Sequence, residues 1–324
     1  MAKLQSSEIV GVANRPATIC SNTMCIWFDT TNLKTVISYC GYSGAGVWST
    51  GGALIVARRQ LSAAGTQNES LSLGGYNGTS QLSCTEEYNG TSWSVGGALI
   101  AARYDIGSLG SQNEALGGGG IAVGSVIVSC TEEYNGASWS SGGVLITSRR
   151  GLVGGGSQNL GLVMGGTTSN AGTYVSCTEE YNGTSWSLGG GLIVSRGYLA
   201  GAGLQNTGIA VGGCMGSYVS CTEEYNGTSW SAGGALIINR GFGAGSGTQN
   251  EMLVSGGYLN SGLSCTEEYN GASWSVGGGL INVRWGLAGS GTQGSGVVFG
   301  GFTNVHISCT EEYTKPLAII DSIQ

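Results

Sequence analysis

The stretch Leu82-Ser83-Cys84-Thr85-Glu86-Glu87-Tyr88-Asn89-Gly90-Thr91-Ser92-Trp93-Ser94 decides the reading of this chain. Its central wording, Ser-Cys-Thr-Glu-Glu-Tyr, occurs six times, with the cysteine at 84, 130, 177, 221, 265 and 309. Asn89-Gly90 is a hairpin signal, because both central residues of the tight turn need φ > 0 and Asn and Gly tolerate it. The runs on either side therefore read as two antiparallel strands.

Working outward, the same register extends over most of the 324 residues. A tryptophan stands nine residues after each of the first five cysteines, at Trp93, Trp139, Trp186, Trp230 and Trp274, and an earlier one, Trp48, lacks the preceding motif. Ten residues beyond each tryptophan comes an arginine: Arg58, Arg103, Arg149, Arg196, Arg240 and Arg284. Nine further on comes a glutamine, and each repeat then reaches a Gly-Gly pair, the second glycines being 75, 120, 166, 213, 257 and 301. From tryptophan to Gly-Gly the length is constant. Length varies only between Gly-Gly and the next cysteine, which is the division expected of scaffold and surface loop.

A period of ~40–50 residues admits helical arrays or propeller blades. The chain contains 63 glycines and two prolines. Glycine costs about 1 kcal/mol against alanine in a helix interior, so strands are favoured. Each repeat divides into four: the tryptophan strand running on through Ala-Leu-Ile, a Gly/Ala-rich strand, an apolar strand into Gly-Gly, and the Glu-Glu-Tyr strand. Four short strands make one blade, with the small residues innermost where blades converge. Six of each type are present. The register is offset, so the tryptophan strand at 47–56 is expected to pair with the last Glu-Glu-Tyr strand at 307–313 and protect both edges. After Tyr313, Pro316 cannot donate to a continuing ladder.

The order Gly-Gly, Glu-x-Tyr, Trp, Arg resembles kelch repeats over about residues 45–315. The likeness departs in two places: only four residues separate Tyr88 from Trp93, and an aromatic residue before Gly-Gly is absent from five of the six repeats. The resemblance implies an all-β, six-bladed kelch-like β-propeller closed by pairing of an N-terminal strand with the C-terminal blade. It divides the chain into a hairpin or docking segment, 1–44, and the propeller, 45–324. It also implies that the first glutamates, Glu86, Glu132, Glu179, Glu223, Glu267 and Glu311, meet repeat arginines. The wording Thr-Glu-Glu-Tyr-Asn-Gly-Thr-Ser-Trp-Ser is in addition similar to repeat proteins of marine bacteriophages.

Charge and composition narrow the functional classes. Charged residues are 10% of the chain and the net charge is −7, with twelve of the 19 acids in the six Glu-Glu pairs. No clustered Lys/Arg footprint of a nucleic-acid binder exists. No apolar run reaches the ~20 residues of a membrane helix, and Met1 to Val10 lacks a signal-peptide core. Six copies of one residue set read as structural, since a catalytic site is normally built once. The tryptophans are expected to pack between blades. The repeat cysteines are expected to be buried free thiols, and the second glutamates exposed and solvated. Cys20 and Cys25 lack a second half for a metal site, and Cys214 could approach Cys221. With His306 alone in a loop and aspartates only at 29, 105 and 321, the chain reads as no enzyme and needs no cofactor.

Recognition is placed on the variable loops. Antiparallel alternation puts them on one face with the arginine crossovers, opposite the Asn-Gly turns. Their candidate residues are Tyr76, Asn77, Thr167, Asn170, Tyr174, Met215, Tyr218, Tyr258, Asn260, Phe302 and Asn304; the same residues would equally serve as spacers. Tyr and Asn combine apolar area with adaptable hydrogen bonding. Residues 1–44 read as strands around Thr30-Thr31-Asn32, either a docking element or a cap. The resulting expectation is a virion structural or adhesion protein of a bacteriophage, assembled in the host cytoplasm. In that reading it meets other virion proteins through 1–44, binds a host glycan or protein through the propeller face, and admits oligomeric assembly. A multivalent lectin-like propeller and a cytoplasmic kelch-like scaffold are the alternatives.

Overall fold

The computed structural model describes residues 24–29, 34–42 and 45–323, with side chains from 45 to 316. Regular structure among them is entirely β. The chain divides into two compact units: the described residues up to Gly46 together with those from Lys315 onward, and Val47–Thr314.

In the first unit Lys34–Tyr42 is the central strand of an antiparallel three-stranded sheet, between Met24–Asp29 and Leu317–Ile323. The hairpin register sets Asp29 opposite Lys34. Its expected turn residues, Thr30 to Asn32, lie outside the described residues, as does Cys20. The C-terminal strand was not anticipated. Pro316 ends one ladder, but the β-favouring run Leu317-Ala318-Ile319-Ile320 takes a new partner in Cys40 to Tyr42 and beyond.

The second unit holds six four-stranded antiparallel sheets, a propeller-like arrangement. The first sheet runs Ser62–Gly65, Ser70–Leu73, Thr85–Tyr88, Trp93–Val95, and the next four repeat that order along the chain. The sixth comprises Ala288–Gly291, Ser295–Phe299, Thr310–Thr314 and, from the other end of the sequence, Val47–Thr50. There Trp48 lies opposite Tyr313 and Thr50 opposite Glu311.

The tryptophan strands are shorter than expected. They stop after three or four residues and do not run through Ala-Leu-Ile. The glycines that follow explain this: a Cβ on Gly52 would lie 2.2 Å from the Thr91 carbonyl oxygen, so the crossover leaves the ladder by passing against its neighbour. Leu54 is then buried and Ile55 exposed. At the Gly-Gly pair the backbone requires positive φ twice, 61° at Gly74 and 106° at Gly75, and Gly75 N–H donates to Arg103 O of the next repeat at 2.9 Å.

Apolar packing lies between sheets. Ala64, Leu71 and Leu73 of the first sheet pack with Ala115, Tyr134 and Trp139 of the second. Equivalent clusters join each later pair, and one joins Val297 and Phe299 of the sixth sheet to Leu61, Tyr88 and Trp93 of the first. The Gly/Ala-rich first strands of all six sheets line one cavity of about 220 Å³. Small residues are needed there: a Cβ on Gly154 would come within 2.3 Å of Ser108 O.

Candidate functional site

The recurrent residues form a framework. Arg58 pairs with Glu86 at 2.7 Å, Arg103 with Glu132 at 2.8 Å, Arg149 with Glu179 at 3.0 Å and Arg284 with Glu311 at 2.7 Å. Arg196–Glu223 and Arg240–Glu267 complete the set, and both partners are buried in every pair. Each carboxylate also accepts two crossover amides, as Glu86 does from Ile55 and Val56 N–H. Burial draws the Arg149 and Arg284 guanidinium pKa values down, opposed by the paired glutamate.

The tryptophans reach the preceding sheet. Trp139 Nε1 donates to Thr85 Oγ1 and Gly97 O, both at 3.0 Å, Trp93 to Thr310, Trp230 to Thr178, Trp274 to Thr222, Trp48 to Thr266, and Trp186 to Gly143 O. The glutamines make a parallel link, Gln112 Nε2 donating to Ser70 O and Tyr88 O.

Two expectations about this framework change. The second glutamates are not exposed and solvated. They are mostly half-buried, and each accepts the phenol of the following sheet, as Glu87 does from Tyr134 at 2.5 Å and Glu312 from Tyr88 at 2.5 Å. Burial and that carboxylate push Tyr88 and Tyr134 up to about 12, so they remain donors. The repeat cysteines are free but half-buried, and in five repeats an arginine head bonds the cysteine carbonyl: Arg58 Nη1 donates to Cys84 O at 3.0 Å and meets its sulfur at 2.6 Å. Burial raises the Cys84 thiol pKa.

The sequon asparagines serve their turns. Asn89 Oδ1 accepts Thr91 and Ser92 N–H, and Asn182 and Asn226 repeat the pattern.

Single-copy chemistry gathers at the other strand ends. The residue two places after each repeat arginine has φ between 53° and 63°: Gln60, Asp105, Gly151, Tyr198, Phe242 and Gly286. Their backbones form a cyclic chain. Gln60 N–H donates to Gly286 O at 2.6 Å, Asp105 to Gln60 at 3.0 Å, Gly151 to Asp105 at 2.9 Å, Tyr198 to Gly151 at 2.7 Å, Phe242 to Tyr198 at 2.9 Å and Gly286 to Phe242 at 2.9 Å. Four of the six are not glycine, and left-handed backbone at bulky residues persists only where surroundings enforce it. The ring rims the cavity. Tyr198 and Phe242 stack at 4.3 Å, and Gln60 Nε2 donates to Asp105 Oδ1 at 2.7 Å. Arg150 Nη1 meets Asp105 Oδ2 at 3.4 Å, yet burial outweighs that cation and lifts Asp105 to about 6.

The loops join this ring through short bridges, Arg59 with Tyr76, Arg150 with Thr167, Gly241 with Tyr258 and Trp285 with Phe302. Tyr76, Phe302 and His306 come together, with His306 at 6.0 Å from Tyr76 and 5.1 Å from Phe302. His306 is thus half-buried among aromatic rings and not an open surface residue. Tyr218 meets Tyr258, which meets Trp285. The Tyr174 hydroxyl lies 3.2 Å from Cys214 Sγ, and Thr167 is buried. Asn77 is spent on its own turn. Asn170, Met215, Asn260 and Asn304 stand exposed at loop tips outside the aromatic group.

The residues that sequence reading missed are Arg59, Asp105, Arg150, Tyr198, Phe242, Trp285 and Tyr104, whose ring lies 5.6 Å from that of Tyr76. A signal existed: the two positions after each repeat arginine change chemical class from repeat to repeat, reading Arg-Gln, Tyr-Asp, Arg-Gly, Gly-Tyr, Gly-Phe and Trp-Gly. Among the described residues no group of three or more His, Cys, Asp or Glu could hold a metal ion, and no helix is long and apolar enough to cross a membrane. No protein-family model matches the chain, and no curated protein matches it.

Proposed function

We propose that Val47–Thr314 is a closed six-bladed propeller acting as a non-enzymatic binding module, and that the chain is a structural or adhesion protein of a bacteriophage particle. Three features support closure: the Val47–Thr50 strand paired with Thr310–Thr314, the apolar cluster between sixth and first sheets, and the cyclic backbone ring. The observation that carries the binding role is the contrast in placement. Residues repeated six times are spent on one another, whereas the single-copy aromatic and charged residues collect around one mouth of the cavity. Such a convergent, largely preformed set is the usual form of a recognition site. The particle assignment rests on the repeat wording, with residues 1–44 as the attachment segment and a host-surface ligand on the loop face.

Mass spectrometry of purified particles should detect the chain as a stoichiometric component. Its absence from particles would remove the virion assignment. Adherence of the recombinant chain to host cells should fall when Tyr258 and Trp285 are both replaced by alanine. Undiminished adherence by a folded double variant would remove the loop face from the reading.

A further inference from the structure

Two adjacent arginines have opposite circumstances. Arg58 is buried against Glu86. Arg59 is half-buried, and no carboxylate among the described residues lies within ion-pair distance of it. Its guanidinium carbon lies 4.9 Å from the Trp285 ring centre, 4.8 Å from Phe302 and 5.8 Å from Tyr76. Nε is shielded from water and has no hydrogen-bond partner. Arg150, at the equivalent position two repeats on, is engaged with Asp105. Arg59 is therefore a cation positioned by aromatic faces, with its terminal N–H donors uncommitted among the described residues.

The surroundings define what anion fits. A guanidinium presents a planar fork matched to a carboxylate. His306, between Tyr76 and Phe302, adds no second charge near neutrality, because burial and the Arg59 charge hold its pKa below the usual histidine value. A single guanidinium at this site, its charge also felt by Asp105, on a chain of net charge −7 favours a monoanion over a phosphate dianion or a polyanion. Around the cation stand half-buried aromatic rings. A pyranose ring bearing one carboxylate offers C–H faces to the rings and an anion to Arg59.

We infer that Arg59 binds the carboxylate of an acidic sugar, a hexuronic or sialic acid, with Trp285 and Phe302 flanking the sugar ring. The site deepens the proposed recognition role of the loop face and rests on it.

The test is calorimetric titration of the full chain with sodium glucuronate and N-acetylneuraminate, beside glucose, acetate and inorganic phosphate. A glycan array of neutral, carboxylated and sulfated saccharides accompanies it. Carboxylated sugars should bind, and glucose and acetate should bind at least tenfold more weakly. Arg59→Gln should weaken carboxylated sugars tenfold or more while its melting temperature stays near the parent's, and Arg59→Lys should recover part of the loss. Equal binding of neutral sugars, tighter binding of phosphate or sulfated glycans, or full binding by a folded R59Q chain overturns the inference. In those cases the recognition role stands if Tyr258 and Trp285 still control cell adherence. No carboxylate binding together with unaltered adherence by that double variant removes both.

Discussion

The six arginines of the framework and the residues that directly follow them are neighbours in sequence but belong to different kinds of structure. Each framework arginine is buried on the same partners: a glutamate, and in most repeats the carbonyls of a Gly-Gly glycine and a cysteine. The next two residues share only their backbone course. Arg59 lies against aromatic rings, Arg150 against Asp105, and Tyr198 against Phe242. The same buried glutamate partner six times over means structure, because each copy satisfies the same need. Different side chains on an identical backbone ring mean that the fold tolerates variation there, which is where recognition chemistry is free to accumulate.

The largest separation between the two sets should come from Arg196→Ala against Arg59→Gln. Removing Arg196 leaves Glu223 buried without its cation, a loss of about 3–5 kcal/mol, whereas R59Q should stay within about 1 kcal/mol because no ion pair is lost. Chemical denaturation of both variants measures this, and comparable midpoints would erase the distinction.

A smaller effect lies within the ring. Gly151 has φ +59°, and an added Cβ would sit 2.7 Å from the Tyr198 ring, while at Gly286, φ +63°, the nearest atom is Gln60 Cγ at 3.4 Å. Both alanine variants bear the left-handed penalty of about 1–2 kcal/mol, but only Gly151→Ala should also displace Tyr198. Denaturation should place G151A below G286A, and perturbed Tyr198 resonances should appear in G151A alone. Tyr134→Phe belongs to the framework and removes the hydrogen bond donated to Glu87 and the one accepted from Gly97 N–H, with an expected loss of about 1–2 kcal/mol. A melting temperature equal to the parent's would make those inter-sheet phenols dispensable.

A pH dependence completes the set. Burial raises Asp105 from 3.8 to about 6, so the folded state holds this proton more tightly than the unfolded chain. Its contribution is most favourable below the unfolded value and is lost as pH rises through the folded one. Asp105→Asn keeps the acceptor for Gln60 and removes the titration. The melting temperature of D105N relative to the parent should therefore rise by a few degrees between about pH 4 and pH 7. A constant difference across that window would place Asp105 in a more hydrated setting.

Legibility followed range. The strand sets, the location of the Asn-Gly turns and the Arg–Glu partnership were readable because each is written within one repeat or by the kelch resemblance; the turn type differs, since four residues join Tyr88 to Trp93 and only Gly90, not Asn89, has positive φ. The extent of the tryptophan strands was misjudged because Ala-Leu-Ile has strand-like character, while the Gly51-Gly52 approach to Thr91 that ends the ladder is a contact with the next repeat. The second glutamates looked solvated because their tyrosine donors stand 45 to 48 residues away, or 224 for Glu312. Half of the expected loop residues do converge, but around Arg59, Trp285 and the Asp105 ring, which lie in the segment of constant length.

Sequence alone was sufficient for the repeat register, the all-β class and the location of turns, because turn preference and small-residue patterning act between near neighbours and recur with every copy. Only the tertiary structure decided that Arg59 meets Phe302 and that Gln60 meets Gly286. Those residues come from the first and last repeats. Their proximity follows from the packing of the sixth sheet against the first, a sum of inter-sheet geometries that no single repeat encodes.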